Sequence, residues 1–133
     1  MATTTETLEL RSEQDIVLAR QAVRRMTIKL GFGLVEQTKM VTAASELARN
    51  TIKYGLGGTM TAELIESAPR KGLRLTFTDE GPGIADLALA LTDGWTSGAG
   101  MGLGLSGAKR LVNEFDIDTA PGKGTRVTIT RWR

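Results

Sequence analysis

Polar and apolar residues alternate over residues 7–10, the period-2 pattern of a short strand. The spacing then changes. Ile16, Val17, Ala19, Ala22, Val23, Met26 and Leu30 recur at helical intervals, with Ser12 placed as an N-cap, Glu13 and Asp15 in the first turn, and Gly31 as a stop. A second helix is predicted over residues 35–54, closed by Gly55. Residues 59–66 and 72–79 read as two strands joined by a turn at Ala68-Pro69-Arg70-Lys71. A third helix is predicted over residues 103–114. Strands at 115–119 and Thr125–Trp132 then flank the turn Pro121-Gly122-Lys123-Gly124. The expected fold is a single α+β domain over residues 1–133. It is a two-layer sandwich in which helices cover one face of a mainly antiparallel or mixed sheet.

Composition narrows the chemistry. The chain has 133 residues, 41% hydrophobic and 24% charged, enough for one core and too short for two. No apolar run approaches the ~18 residues of a membrane span, and the first residues lack the pattern of a signal peptide, so a cytoplasmic protein without a membrane partner is expected. There is no cysteine and no histidine. Disulfides, thiolate or imidazole zinc sites, Ser-His-Asp catalysis and histidine autophosphorylation are therefore excluded. A formal charge of +2 is too small to argue for nucleic acid. The cluster Arg20, Arg24, Arg25 and Lys29 on the first helix reads as a solvated face or a docking surface for acidic partners. Glycine is the informative residue: eight of the 16 fall within residues 81–107, where the backbone must turn sharply or approach a ligand.

Three polar groupings stand out. On the second helix Glu46, Asn50 and Lys53 lie at i, i+4 and i+7, within an arc of roughly 60°. They form either the wet face of an amphipathic helix or a proton acceptor beside a metal-directed amide oxygen, with an ammonium for phosphate one turn on. Along residues 73–79, period 2 puts Asp79 on the same side as Leu73, Leu75 and Phe77. A carboxylate there needs a hydrogen-bonding partner, and Gly81 and Gly83 leave room for a flat ligand. Thr125 shares a face with Val127 and Ile129 in the same way. Finally, the glycine-rich stretch that opens the third helix offers bare backbone amides at a helix N-terminus, a phosphate cradle. Its G-x-G-x-x-G match at residues 102–107 lacks a preceding strand and a following acid, and no P-loop motif occurs anywhere.

Glu46-x-x-x-Asn50, Asp79-Glu80-Gly81-Pro82-Gly83, Gly100-Met101-Gly102-Leu103-Gly104 and Gly122-Lys123-Gly124-Thr125 occur in that order. Together they resemble the N, G1, G2 and final glycine-threonine boxes of the GHKL ATPase/kinase superfamily, the Bergerat fold. The resemblance spans nearly the whole chain. It implies ATP and Mg²⁺ as cofactors, held between the helical layer and the sheet. The ATP-binding set it implies is Asn50, Lys53, Asp79, Gly81, Gly83, Gly98, Gly100, Met101, Gly102, Leu103, Gly104 and Thr125. In it, Asp79 bonds the adenine amino group, Thr125 supports that contact and Asn50 holds Mg²⁺. Glu46 is the implied catalytic residue, and residues 84–101 the implied ATP lid.

Within that superfamily, the chain lacks a phosphoacceptor histidine and is far shorter than the gyrase, chaperone and mismatch-repair members. Residues 44–50, 93–97 and 109–115 look most like the small RsbT-type serine/threonine kinases that regulate sigma factors. That likeness implies STAS-domain scaffold and antagonist proteins of the stressosome as substrates, and a PP2C-type phosphatase as the partner activated after release. Two alternatives remain at this point: an anti-sigma kinase of the RsbW or SpoIIAB type that binds a sigma factor directly, and a nucleotide-gated docking module without phosphotransfer.

Overall fold

The computed structural model of the chain describes residues 5–83 and 103–133. The elements run in the order β1 (Thr5–Leu10), α1 (Glu13–Leu30), α2 (Leu34–Lys53), β2 (Gly58–Ser67), β3 (Arg70–Asp79), α3 (Leu103–Arg110), β4 (Glu114–Thr119) and β5 (Thr125–Trp132). The strands form one sheet in the order β1-β2-β3-β5-β4, with every neighbouring pair antiparallel. This is the expected α+β sandwich, with the sheet antiparallel throughout the described residues.

Local chemistry sets the helix limits. The Asp15 carboxylate accepts the backbone N–H groups of Arg11 (2.8 Å) and Ser12 (3.2 Å), closing the first turn of α1. Gly31, at φ 81°, ends the helix in the left-handed conformation, its N–H returning to the Ile28 carbonyl. In α2 the positions of Met40, Val41, Ala44, Leu47, Ala48 and Thr51 fall on one side and are buried. They pack with Ile16, Val23 and Met26 of α1 over Met60 and Ala62 of β2, Leu73, Leu75 and Phe77 of β3, and Val127 and Ile129 of β5. Each large side chain buried in this layer stabilises the fold by roughly 1.5–3 kcal/mol.

Two elements depart from expectation. The β2–β3 hairpin is tighter than the four-residue turn predicted: Ser67 pairs with Arg70, leaving only Ala68 and Pro69 in the loop. The third helix ends at Arg110 and not at Glu114. Its continuation is captured by the sheet, since the Asn113 N–H donates to the Thr130 carbonyl (3.0 Å) and Asn113 Oδ1 accepts the Trp132 N–H (2.7 Å). Glu114 consequently becomes the first residue of β4.

Candidate functional site

Where the C-terminal half of α2 passes over the ends of β3 and β5, the layers part around a cavity. Leu47, Asn50 and Thr51 come from α2, Tyr54 and Gly55 from its exit, Phe77 and Asp79 from β3, Thr125 and Val127 from β5, and Leu105 from α3; Gly83 completes the lining. The walls are mainly apolar, with Leu47 and Leu105 on the helical side and Phe77 and Val127 on the sheet. Asn50, Asp79 and Thr125 add polar groups. A slot between apolar walls with a few fixed polar atoms fits a flat heterocycle whose edge carries hydrogen-bonding groups.

Asp79 ends β3 on the helix-facing side, as period 2 predicts. Its Oδ1 accepts the Gly81 N–H at 2.9 Å. Burial pushes its carboxyl above the ordinary carboxylate range, while the backbone N–H groups of Gly81 and Thr125 pull in the opposite direction. The carboxyl owes its room to Gly55: a Cβ there would lie 2.3 Å from Asp79 Cγ and 2.4 Å from Oδ2. Thr125 is the register partner of Asp79 across β3 and β5, and its hydroxyl lies 2.9 Å from that of Thr119.

Asn50 faces Asp79 across the cavity. Its Nδ2 is buried and has no hydrogen-bond partner. Buried polar atoms are satisfied in the great majority of cases, and leaving one unsatisfied costs about 1–3 kcal/mol. An orphan on a cavity wall is therefore a group held ready for a ligand. Turning the amide over presents its oxygen to the same space. That oxygen fits Mg²⁺ held mainly by phosphates and water, the mode in which this ion takes only one or two protein ligands. An all-protein site is not available among the described residues, which contain no cluster of three acidic groups able to hold a metal.

The other expected site residues divide. Glu46 sits one turn before Asn50, outside the cavity lining, half-exposed and ion-paired with Arg49 at 3.1 Å. Lys53 is exposed and does not line the cavity, so the structure separates it from Asn50 and Asp79. Gly81 is buried behind Asp79, Gly83 lines the cavity, and Leu103 and Gly104 open α3. Gly98, Gly100, Met101, Gly102 and the predicted lid over residues 84–101 lie outside the described residues. Sequence reasoning misses the site roles of Tyr54 and Gly55, taking Gly55 only as a helix stop. It takes Leu47, Thr51, Phe77, Leu105 and Val127 as helix or strand positions without a role in a cavity.

Comparison with known proteins agrees with this geometry. Residues 35–132 match the family described as histidine kinase-, DNA gyrase B- and HSP90-like ATPase. The chain is 40% identical over 125 residues to the serine/threonine-protein kinase RsbT of Bacillus subtilis, with 94% of each covered. It is 27% identical over 129 residues to an anti-sigma F factor of Thermoanaerobacter sp., covering 92% of this chain and 89% of the relative. Two solved structures share the fold. The RsbU and RsbW domains of a Mycobacterium tuberculosis protein superpose with a TM-score of 0.68 at 21% identity, over 100% of this chain and 33% of theirs. The mycobacterial sensor histidine kinase MprB superposes with a TM-score of 0.60 at 20% identity, over 97% of both chains. Among the described residues no helix is long and apolar enough to cross a membrane. The chain therefore belongs to the histidine kinase-, DNA gyrase B- and HSP90-like ATPase family, and within it to the relatives of the RsbT serine/threonine-protein kinase.

Proposed function

We propose that the protein is an ATP- and Mg²⁺-dependent protein serine/threonine kinase of the RsbT type, acting in the cytoplasm on STAS-domain scaffold and antagonist proteins and, once released from them, activating a PP2C-type phosphatase. The observation that carries the nucleotide reading is the pairing of two unusual polar groups, the half-buried Asp79 carboxyl and the unpartnered Asn50 Nδ2, in the lining of one mainly apolar cavity. The 40% identity to RsbT supports the choice of reaction and partners.

In this reading the base enters between Leu47 and Leu105 on one side and Phe77 and Val127 on the other, and its exocyclic amino group donates to Asp79. Asn50 turns its amide oxygen toward the triphosphate. Bound there, Mg²⁺ would offset the charge on the phosphoryl oxygens. The backbone amides at the start of α3 lie at a helix N-terminus, where anionic oxygens are favoured. Glu46 leaves Arg49, an exposed pair of little energetic weight, and accepts the proton of the incoming serine or threonine hydroxyl. The hydroxyl oxygen forms a bond to the γ-phosphorus as the bond from that phosphorus to the β–γ bridging oxygen breaks, and ADP leaves. Little covalent work falls to the protein, so positioning dominates.

Incubation with labelled ATP, Mg²⁺ and a STAS-domain protein tests the reading: label should pass to a serine or threonine of that protein. Absence of transfer, with ATP bound, would favour a docking module. Likeness to anti-sigma F factors over nearly the full chain favours a second reading, an anti-sigma kinase. Co-purification with a sigma factor in place of STAS-domain proteins would support it.

A further inference from the structure

Arg131 lies at the far end of β5 from Thr125 and is not part of the cavity lining. It pairs in register with the buried Leu73 of β3, which puts it on the helix-facing side of the sheet. There its Nη1 donates to the Leu111 carbonyl at 2.9 Å. A guanidinium nitrogen can only donate and a carbonyl can only accept, so the direction of this bond is fixed. Leu111 is the first residue beyond α3. The bond therefore ties the C-terminal end of that helix to the sheet, and a positive group meets the negative end of the helix dipole. The Arg131 Nε is buried and has no hydrogen-bond partner. Such an orphan is unfavourable, and an apolar side chain of similar length would avoid it. Stability alone does not call for arginine here, whereas holding Leu111 does.

What this bond governs is the other end of α3. The helix runs from Leu103 to Arg110, eight residues and about 12 Å. Leu105 and Ala108 are its buried apolar contacts, and Leu105 also lines the cavity. With those two residues as the pivot, the ends of the helix move together in opposite directions. Rocking by roughly 10° displaces one end against the other by about 2 Å, enough to spoil an N–H···O bond. We propose that Arg131 is a positioning residue for the triphosphate: by holding the C-terminal end of α3 it aims the backbone amides of the first turn at the phosphate oxygens. The inference rests on the ATP reading above. It assigns part of the phosphate affinity to a side chain that never touches the nucleotide.

The test is titration of the wild type, Arg131→Met and Arg131→Lys with ATP and with adenosine, in the presence of Mg²⁺. Methionine keeps an unbranched apolar stem and removes every donor. Lysine keeps one donor for the Leu111 carbonyl and lacks the buried Nε. Arg131→Gln is run beside them as a second variant too short to reach Leu111, and urea unfolding confirms that each protein is folded. In Arg131→Met and Arg131→Gln the ratio of ATP to adenosine affinity should fall about tenfold, the scale of one lost hydrogen bond to a charged group. Arg131→Lys should keep most of the wild-type ratio. A merely structural role would weaken ATP and adenosine alike and leave the ratio unchanged, which overturns the proposal. So does a ratio that falls as far in Arg131→Lys as in Arg131→Met, or loss of the fold in both Arg131→Met and Arg131→Gln. Failure of the wild type to bind either ligand would overturn the nucleotide reading itself, and this inference with it. Wild-type binding of both with an unmoved ratio in the variants overturns the inference alone.

Discussion

Gly55→Ala is the substitution that probes the site most sharply without touching a polar group. Gly55 has no left-handed backbone conformation, so alanine is acceptable to the main chain and the effect is steric. Its Cβ would fall 2.3 Å from Asp79 Cγ, 2.4 Å from Oδ2 and 2.5 Å from Cβ, more than an ångström inside ordinary carbon contact distance. The carboxyl must swing away, and doing so breaks the 2.9 Å bond it accepts from the Gly81 N–H. A hydrogen bond to a charged group contributes about 1.5–3 kcal/mol, and crowding a packed site costs about 1–3 kcal/mol. Loss of the Asp79 contact with the base should weaken ATP binding by about 1.5–3 kcal/mol, roughly 10-fold to 150-fold. The same change should lower the urea midpoint by the crowding cost. Calorimetric titration with ATP beside urea unfolding separates the two. If Gly55→Ala binds ATP within twofold of the wild type, the carboxyl does not hold the base.

Gly122→Ala is the contrasting change: nothing lies within 4 Å of its Cβ position and only its φ of 77° is unfavourable, so stability should drop by about 1 kcal/mol with the ATP dissociation constant unchanged, as urea unfolding and titration will show. The Asp79 carboxyl is raised by burial, so the folded protein holds this proton longer than the unfolded chain does. Its contribution to stability is present below the ordinary carboxylate pKa and is lost as pH rises through the raised value. Relative to Asp79→Asn, the wild type should therefore lose stability as pH rises across that window and then level off. Urea midpoints of the two proteins from about pH 3.5 to 7 check the sign, a range that brackets the ordinary carboxylate pKa, and a difference that moves the other way contradicts it. Glu46→Gln should bind ATP nearly as the wild type does, because Glu46 lies off the cavity lining, yet fail to transfer phosphate; equal loss of both would remove its role as proton acceptor.

The layers of the fold are legible in the sequence because their signals are local. Apolar positions at helical spacing, ended by Gly31 and Gly55, mark both long helices to within a residue or two. Alternation along β3 is enough to place Asp79 on the helix-facing side. The end of α3 is not legible in this way, since it is set by Asn113 bonding to Thr130 and Trp132, partners 17 and 19 residues away in sequence. Glu46, Asn50 and Lys53 do form an arc, but periodicity alone does not show where that arc meets the core. At ~100° per residue Asn50 lies only about 20° from buried Ala43, with Glu46 and Lys53 further out. Hence Asn50 reaches the cavity and Lys53 faces solvent. The space Gly55 leaves for Asp79 and the pairing of Thr119 with Thr125 both depend on contacts between separate elements, and no motif reports them.

If Asp79 and Asn50 belong to one nucleotide site, the nucleotide and its Mg²⁺ must depend on each other there. Calorimetric titration of the wild type with ATP, with and without Mg²⁺, beside Asp79→Asn, tests it most directly. Mg²⁺ should strengthen the binding, and Asp79→Asn should weaken it at least tenfold. Binding unaffected by either change, or no binding by the wild type, would contradict it.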